Sequence, residues 1–211
     1  MLGANDGILS VSSLVLGVAA AHATRGSIIV AGMAGLAAGA LSMGAGEYVS
    51  VASQADTERA DLELERAALE QHYAHEHAEL AQIYVERGVE PELAARVAEQ
   101  LMAKDALGAH ARDEIGISDA LRARPLQAAL ASSLSFTLGG LVPMLVALIV
   151  HGSFMIPSIA LVSLAALAAL GGAAAHAGGA PVTPGALRVL VWGAIAMAIT
   201  YGVGSLFGGV A

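Results

Sequence analysis

The chain has 211 residues, of which 56% are hydrophobic and only 13% carry a charged side chain. Soluble domains of this size carry about 25% charged residues, so the composition indicates a membrane protein. The net charge of −8 argues against nucleic acid as a partner, and the absence of cysteine excludes disulfides and thiolate ligands. Any bound metal must use carboxylate, imidazole, thioether or carbonyl ligands, which favours ferrous iron, manganese or a similar divalent ion.

Two apolar helices are predicted first, at Asn5–Ala23 and Ser27–Ser53. Apolar stretches of roughly 20 residues match a hydrocarbon layer of about 30 Å. Glycine pairs at four-residue spacing, Gly35 with Gly39 and likewise Gly204 with Gly208, permit close helix approach, either inside the bundle or between protomers.

Asp6 and Glu47, in these two helices, are the only carboxylates outside an acidic block that runs from Asp56 to Asp119. A charged group in a membrane helix costs roughly 2.5–3.5 kcal/mol on insertion scales, so it tends to be functional. An antiparallel hairpin brings both acids to similar depth, and Met43 lies one turn before Glu47. We therefore predict a cation path through Asp6, Met43 and Glu47. The alternative is two interfacial carboxylates that reach the lipid headgroups.

Residues 54–124 are predicted to form an acidic domain of three helices, whose negative surface would concentrate cations. Gln54–Arg87 lacks proline and glycine and is rich in helix formers, so helix two is expected to continue into it. Pro91 fits the first turn of the next helix, and a short third helix is predicted near Ala106–Ile115. The apolar stripe of the middle helix is predicted at Leu93, Val97 and Leu101.

Several side chains of this acidic domain are candidate metal ligands. At 100° per residue, four of them project within about 60° of one another from the first helix. They are Glu65, His72, Glu76 and Glu79. His110 and Glu114 share a face of the third helix, whereas His75 points elsewhere, to a neighbouring site or to solvent. Carboxylates with imidazole are typical ligands of divalent ions, although a solvated charged helix with Glu–Arg pairs is the alternative.

Three further apolar helices are predicted at Leu126–Val150, Ser153–Ala175 and Pro184–Gly209. The fold class is therefore an all-α membrane protein with five transmembrane helices and an acidic domain inserted between helices two and three. The corresponding domains are residues 1–53, 54–124 and 125–211.

Basic residues near the membrane helices predict the orientation. Arg122, Arg124 and Arg188 fall on one side of the membrane, and Arg25 alone opposes them. Positive charge favours the cytoplasm, so the N-terminus and the acidic domain are predicted to be cytoplasmic. The compact, alanine-rich chain favours a bacterial inner membrane over an organelle membrane.

Three segments resemble the vacuolar iron transporter family in order and spacing: ANDGILSVSSLVLGV at 4–18, LSMGAGEYVS at 41–50 and ARDEIGI at 111–117. The resemblance covers nearly the whole chain and indicates a bacterial-type member. It implies five membrane helices and a cytoplasmic three-helix metal-binding domain. It also implies a homodimer that moves ferrous iron, and often manganese, out of the cytoplasm in exchange for protons.

The resemblance also assigns residues. The family's path aspartate and methionine fall on Asp6 and Met43. Its metal-domain glutamates fall on Glu65, Glu76, Glu79 and Glu114. One further family glutamate falls on Ala68, which His72 could replace through a small shift, and methionines of plant relatives fall near His110. Imidazole in place of thioether would retain iron but alter selectivity.

The leading hypothesis is proton-coupled export of ferrous iron and manganese, with the metal as substrate and no permanently bound cofactor. Cobalt and zinc accept the same ligands. The expected partners are a second copy of the chain, lipid, divalent ions and protons. One alternative is a membrane-embedded di-iron oxidase, although the chain lacks the paired Glu-x-x-His pattern of such sites. Another is a metal sensor or storage subunit that the membrane helices only anchor.

Overall fold

The computed structural model describes residues 2–117 and 123–208. Within these ranges the chain forms six α-helices, which are α1 (Leu2–Ala20), α2 (Arg25–Glu86), α3 (Pro91–His110), α4 (Pro125–Ile149), α5 (Met155–Ala177) and α6 (Val182–Gly208). A π-helical turn at Ala111–Ile115 follows α3, and a 3-10 turn at Gly152–Phe154 precedes α5. Among the positions discussed above, Asp119, Arg122 and Gly209 lie outside the described ranges.

In the described part of the chain, five helices are long and apolar enough to cross a membrane, namely α1, α2, α4, α5 and α6. They coincide with the five predicted spans, apart from shifts of a few residues at their ends. The predicted all-α membrane class and its five spans are therefore confirmed.

Helix α2 is 62 residues long and includes both predicted helix two and the first acidic helix. It contains no proline, so no missing N–H group or ring clash ends it where the apolar sequence gives way to acidic sequence. Its irregular residue is His72, with φ −134° and ψ 35°. Gly88 follows the helix at φ +95°, a left-handed conformation that glycine adopts without steric cost and that commonly ends helices.

Helix α3 contains a second irregular residue, Asp105, with φ −163° and ψ 90°. The Asp105 Oδ1 atom accepts a hydrogen bond from the Gly108 backbone N–H group at 3.0 Å. This is the geometry of an N-cap, in which a short acidic side chain satisfies an N–H group of the first turn. Residues 106–110 are thus a capped segment of their own, which corresponds to the start of the predicted third helix.

The chain divides into two compact units. The membrane unit comprises residues 1–47 and 126–211, and the acidic unit comprises residues 48–125. In the membrane unit α1 packs against α5 and α6, and α5 packs against α6. Side chains of α1 supply much of the core, and the fully buried ones are Ile8, Val11 and Val15.

Glycine permits α1 and α4 to approach within backbone contact. A β-carbon on Gly7 would collide with the Phe136 carbonyl oxygen, and one on Gly139 would collide with the Ala4 carbonyl oxygen. The predicted glycine pairs are also used inside this unit. Their partners are Leu14 for Gly35, the Phe136 ring for Gly39, Gly17 for Gly204 and Ala21 for Gly208.

The core of the acidic unit forms between α2 and α3 around the fully buried Leu80. The buried face of α3 runs through Ala94, Ala98 and Met102. The predicted stripe at Leu93, Val97 and Leu101 is displaced by one residue from this face, and Leu93 is 44% exposed. Leu101 nevertheless packs against this core from the edge of the face. A shift of one residue turns the contact face by about 100°, so the four-residue spacing was correct but its phase was not.

Candidate functional site

Four candidate ligands converge in the acidic unit. The inner cluster comprises Glu65, Glu76, His110 and Glu114, and one ligand atom from each lies within 4.8 Å of all the others. Helix α2 supplies the first two from either side of the break at His72. The capped end of α3 supplies the histidine, and the π-helical turn supplies Glu114.

The imidazole of His110 lies between two carboxylates. Its Nδ1 atom is 2.8 Å from Glu114 Oε2 and 3.0 Å from Glu65 Oε1. His110 is fully buried, Glu65 is 8% exposed and Glu76 is 6% exposed. The Nδ1 contact that has hydrogen-bond geometry is the one with Glu114. Among the described residues, Glu65 Oε1 and His110 Nε2 are therefore buried without a hydrogen-bond partner. Unpaired buried polar atoms are costly, so this arrangement fits groups that bind a cation.

The pKa of Glu65 is raised above its ordinary value of 4.5. Burial is the largest cause, because it disfavours the charged form, and the negative charge of Glu114 is the next. His110 opposes the shift, and Glu76 and Glu79 add to it. The inner cluster therefore holds more negative charge than its own cationic groups neutralise, and a divalent cation would remove this repulsion.

Glu79 lies in a second group that shares a member with the first. The outer cluster comprises His75, Glu76 and Glu79. The His75 Nδ1 atom is 3.6 Å from Glu76 Oε1 and 3.7 Å from Glu79 Oε2. An open groove of about 530 Å³ borders both clusters, and its lining includes His75, Glu79, Glu86 and Glu114. Cations in solution can thus reach the buried ligands through a groove that is lined by carboxylates.

His75 was predicted to face solvent or a neighbouring site, and in the structure it lies in the outer cluster. Its four-residue spacing from Glu79 was the signal that could have identified it. His72, by contrast, is exposed at the break in α2 and belongs to neither cluster.

Two of the predicted path residues meet in the membrane unit. Asp6 and Met43 both line a cavity of about 210 Å³, the path cavity. The other lining residues are Ser10, Val11, Leu14, Gly35, Gly39, Ser42 and Phe136. The Ser10 hydroxyl donates a hydrogen bond to Asp6 Oδ1 at 3.2 Å. A carboxylate, a thioether and two hydroxyls therefore surround one space inside an otherwise apolar unit.

Glu47 does not line the path cavity, and both Glu47 and Asp6 are exposed on the single chain. Asn5, which precedes Asp6, has a buried side-chain oxygen without a hydrogen-bond partner in the described residues. The structure thus brings Asp6 together with Met43 but does not bring Glu47 to the same cavity.

Comparisons with known proteins identify the family of this chain. The model of the VIT family matches residues 1–205. A "Vacuolar iron transporter" from Acanthamoeba castellanii is 51% identical over 207 residues, which cover 98% of this chain and 76% of the relative. "Vacuolar iron transporter homolog 1" from Oryza sativa is 37% identical, over 99% of this chain and 72% of that relative. "Vacuolar iron transporter homolog 3" from Arabidopsis thaliana is 38% identical, over 99% and 81%.

Family membership thus covers both the membrane helices and the acidic unit. It argues against the oxidase alternative, because the family and its named members are transporters. The chain belongs to the VIT family and is a multi-pass membrane transporter rather than an enzyme.

Proposed function

We propose that this protein exports ferrous iron, and also manganese, from the cytoplasm in exchange for protons. The observation that carries the proposal is the inner cluster, where three carboxylates and one imidazole converge with unneutralised negative charge. Oxygen and imidazole ligands suit ferrous iron and manganese, whereas copper(I) prefers thiolate and thioether ligands. The relatives named as iron transporters support iron as the cargo.

The acidic unit is proposed to be a cytoplasmic metal-binding domain of three helices. Arg124 and Arg188, beside the membrane helices, favour the cytoplasmic side. The sequence favours a bacterial inner membrane, and the relatives' name refers to a vacuole. In either membrane the metal would leave the cytoplasm, so the proposed direction is the same.

Asp6 and Met43 are proposed to receive the ion in the path cavity, where the carboxylate and the thioether replace part of its water shell. Glu47 is proposed to guide ions near the cytoplasmic end of the apolar, membrane-spanning part of α2. Proton coupling would follow if a carboxylate that releases metal takes up a proton from the far side.

A homodimer is part of the proposal. Asp6 and Glu47 are exposed on a single chain, and exposure of carboxylates to lipid is costly. A second copy that covers this surface would place the acids along an aqueous path at the two-fold axis. The supporting argument is therefore the cost of leaving these acids in contact with lipid.

Uptake into sealed proteoliposomes tests the function directly. Purified full-length protein is reconstituted, and the vesicles are given an acidic lumen before ferrous iron or manganese is added outside. We expect metal to accumulate while the lumen becomes more alkaline. A protonophore, which dissipates the pH gradient without metal, should suppress the accumulation of metal. Competing cobalt and zinc would rank the substrates. An equal rate of metal uptake with and without the pH gradient would contradict antiport. No uptake under either condition would contradict metal transport.

A further inference from the structure

The turn that carries Glu114 is irregular. It is a π-helical turn at Ala111–Ile115, and Gly116 ends it in the left-handed conformation at φ +82°. The Gly116 N–H group donates to the Ala111 carbonyl oxygen, and the Ile117 N–H group donates to the same oxygen at 2.6 Å. Isolated π-helical turns are rare and occur frequently at functional sites. Contacts from outside the turn must therefore help to maintain its register.

Asp113, directly before Glu114, makes those contacts. Its side chain is 11% exposed. Arg87 Nη1 donates to Asp113 Oδ1 at 2.8 Å, and Arg87 Nη2 donates to the Asp113 backbone carbonyl at 2.9 Å. The Tyr84 hydroxyl donates to Asp113 Oδ2 at 3.0 Å, and Arg112 donates to the same atom at 3.2 Å. One guanidinium thus holds both the side chain and the main chain of a single residue.

The groups that hold Asp113 are themselves anchored to α2. Tyr84 packs against the core around Leu80, and the Arg87 guanidinium carbon lies 5.4 Å from the centre of the Tyr84 ring. A cation over an aromatic face is attracted by the ring, which restricts where the guanidinium can lie. Because α2 also supplies Glu65 and Glu76, the same helix holds the turn and provides ligands.

We infer that Tyr84, Arg87 and Asp113 form a clamp that positions Glu114 as a ligand of the inner cluster. The inference rests on the proposed function, namely that the inner cluster binds a divalent cation. Asp113 is tied to the end of α2, and Glu114 Oε2 then lies 2.8 Å from His110 Nδ1. None of the clamp residues belongs to either cluster, so they act through Glu114.

Substitution of Arg87 can either weaken or strengthen cation binding, and the direction shows whether Arg87 positions Glu114 or only repels the cation. Removal of a positive charge near a cation site should strengthen cation binding if only electrostatic repulsion matters. The clamp instead predicts weaker binding, because the guanidinium fork is lost. Arg87→Lys makes the same distinction at constant charge, since an ammonium group cannot hold the carboxylate and the carbonyl in the same planar geometry.

The experiment measures manganese affinity of the full-length protein in detergent, from the electron paramagnetic resonance signal of free Mn²⁺. We expect Arg87→Gln and Arg87→Lys each to weaken the tight class of binding by about 10- to 100-fold, the range typical of residues that orient metal ligands. Tyr84→Phe removes one hydroxyl only and should give a smaller loss in the same direction. Arg59→Gln is the matched control, because Arg59 pairs with Asp56 at an exposed site.

A double-mutant cycle tests whether the clamp acts through Glu114. In a Glu114→Gln background, Arg87→Gln should cause little further loss, because the ligand it positions is already absent. Unchanged or tighter binding in both Arg87 variants, or losses that add in the double mutant, would overturn the clamp. If Glu114→Gln itself leaves manganese binding unchanged, that result contradicts the inner cluster as the metal site, and the clamp inference fails with it.

Discussion

Glu65 illustrates how one buried carboxylate links the acidic unit to its proposed cargo. Its side chain is held near His110 and close to the carboxylates of Glu76 and Glu114. Its pKa is raised chiefly by burial and then by Glu114, so Glu65 binds a proton more readily than an exposed glutamate does. A divalent ion and a proton therefore compete for the same oxygen atoms.

This competition predicts the pH dependence of metal binding. A protonated Glu65 oxygen cannot bind the metal, so manganese affinity should fall as pH decreases through the raised pKa of Glu65. The loss should therefore begin above pH 4.5, the ordinary value for glutamate. Titration of free Mn²⁺ at stepwise lower pH measures it. Glu65→Gln should weaken binding at neutral pH and flatten this part of the profile, whereas an identical profile in the variant would contradict the assignment.

Substitution of Asp6 should separate transport from metal binding, because Asp6 lies in the membrane unit whereas both clusters lie in the acidic unit. Asp6→Ala should abolish manganese uptake into proteoliposomes while manganese binding by the acidic unit stays intact. The reason is that the path cavity loses its carboxylate, whereas the ligands of both clusters are untouched. Asp56→Ala, at an exposed ion pair, is the control. Full uptake by Asp6→Ala would remove Asp6 from the path.

At the scale of helices, irregular residues decide which ligands meet. A break at His72 separates Glu65 from the segment that carries Glu76, and the Asp105 cap starts a new segment that ends at His110. Successive side chains on a helix differ in direction by about 100°. A local break in the helix therefore changes the direction of every side chain after it, relative to those before it. His72 itself is exposed at this break, whereas His75 and Glu79 follow it and meet by four-residue spacing.

The close approach of α1 and α4 supports a stability prediction. Gly139→Ala should destabilise the protein by about 1–3 kcal/mol, because the new methyl group meets the Ala4 carbonyl oxygen and the helices must separate. Gly46→Ala is the matched control, since nothing lies within 4 Å of a β-carbon there. Thermal unfolding of the detergent-solubilised variants measures both. Equal unfolding temperatures for the two would argue against the tight α1–α4 contact.

At the scale of the molecule, charge separates sharply along the chain. Apart from Asp6 and Glu47, all of the 18 carboxylates lie in the acidic block. The apolar membrane unit can therefore reside in lipid while a negative surface outside it raises the local concentration of cations. In the proposed function, the acidic unit concentrates cations and the membrane unit carries them across the membrane.

The exposure of Asp6 and Glu47 predicts the assembly. We expect two copies per particle when the protein is reconstituted in lipid nanodiscs, because a second copy would shield these carboxylates from hydrocarbon. Light scattering that separates protein mass from lipid mass measures this number. A reconstituted single copy with full transport activity would contradict the proposed two-fold path.

The sequence by itself determined the five membrane helices, the position of the acidic block and the kinds of ligand available. These properties follow from local composition, since about 20 apolar residues in succession are sufficient to indicate a span. The family resemblance also followed from sequence, because its motifs are continuous segments. The predicted stripe of the middle acidic helix was wrong at Leu93, which is exposed, although Leu101 packs against the core. The buried face lies one residue further along, at Ala94, Ala98 and Met102.

Only the tertiary structure decided which ligands converge. Glu65 and His110 are far apart in sequence but meet in the fold. Glu76 follows the break at His72, His110 follows the break at Asp105, and Glu114 lies in the π-helical turn, and no periodic pattern predicts these three irregularities. The same holds for the Asp113 clamp, which joins the end of α2 to the turn after α3. Contacts between distant segments depend on which face each helix turns towards its neighbour. A shift of one residue along the helix changes the direction of a side chain by about 100°.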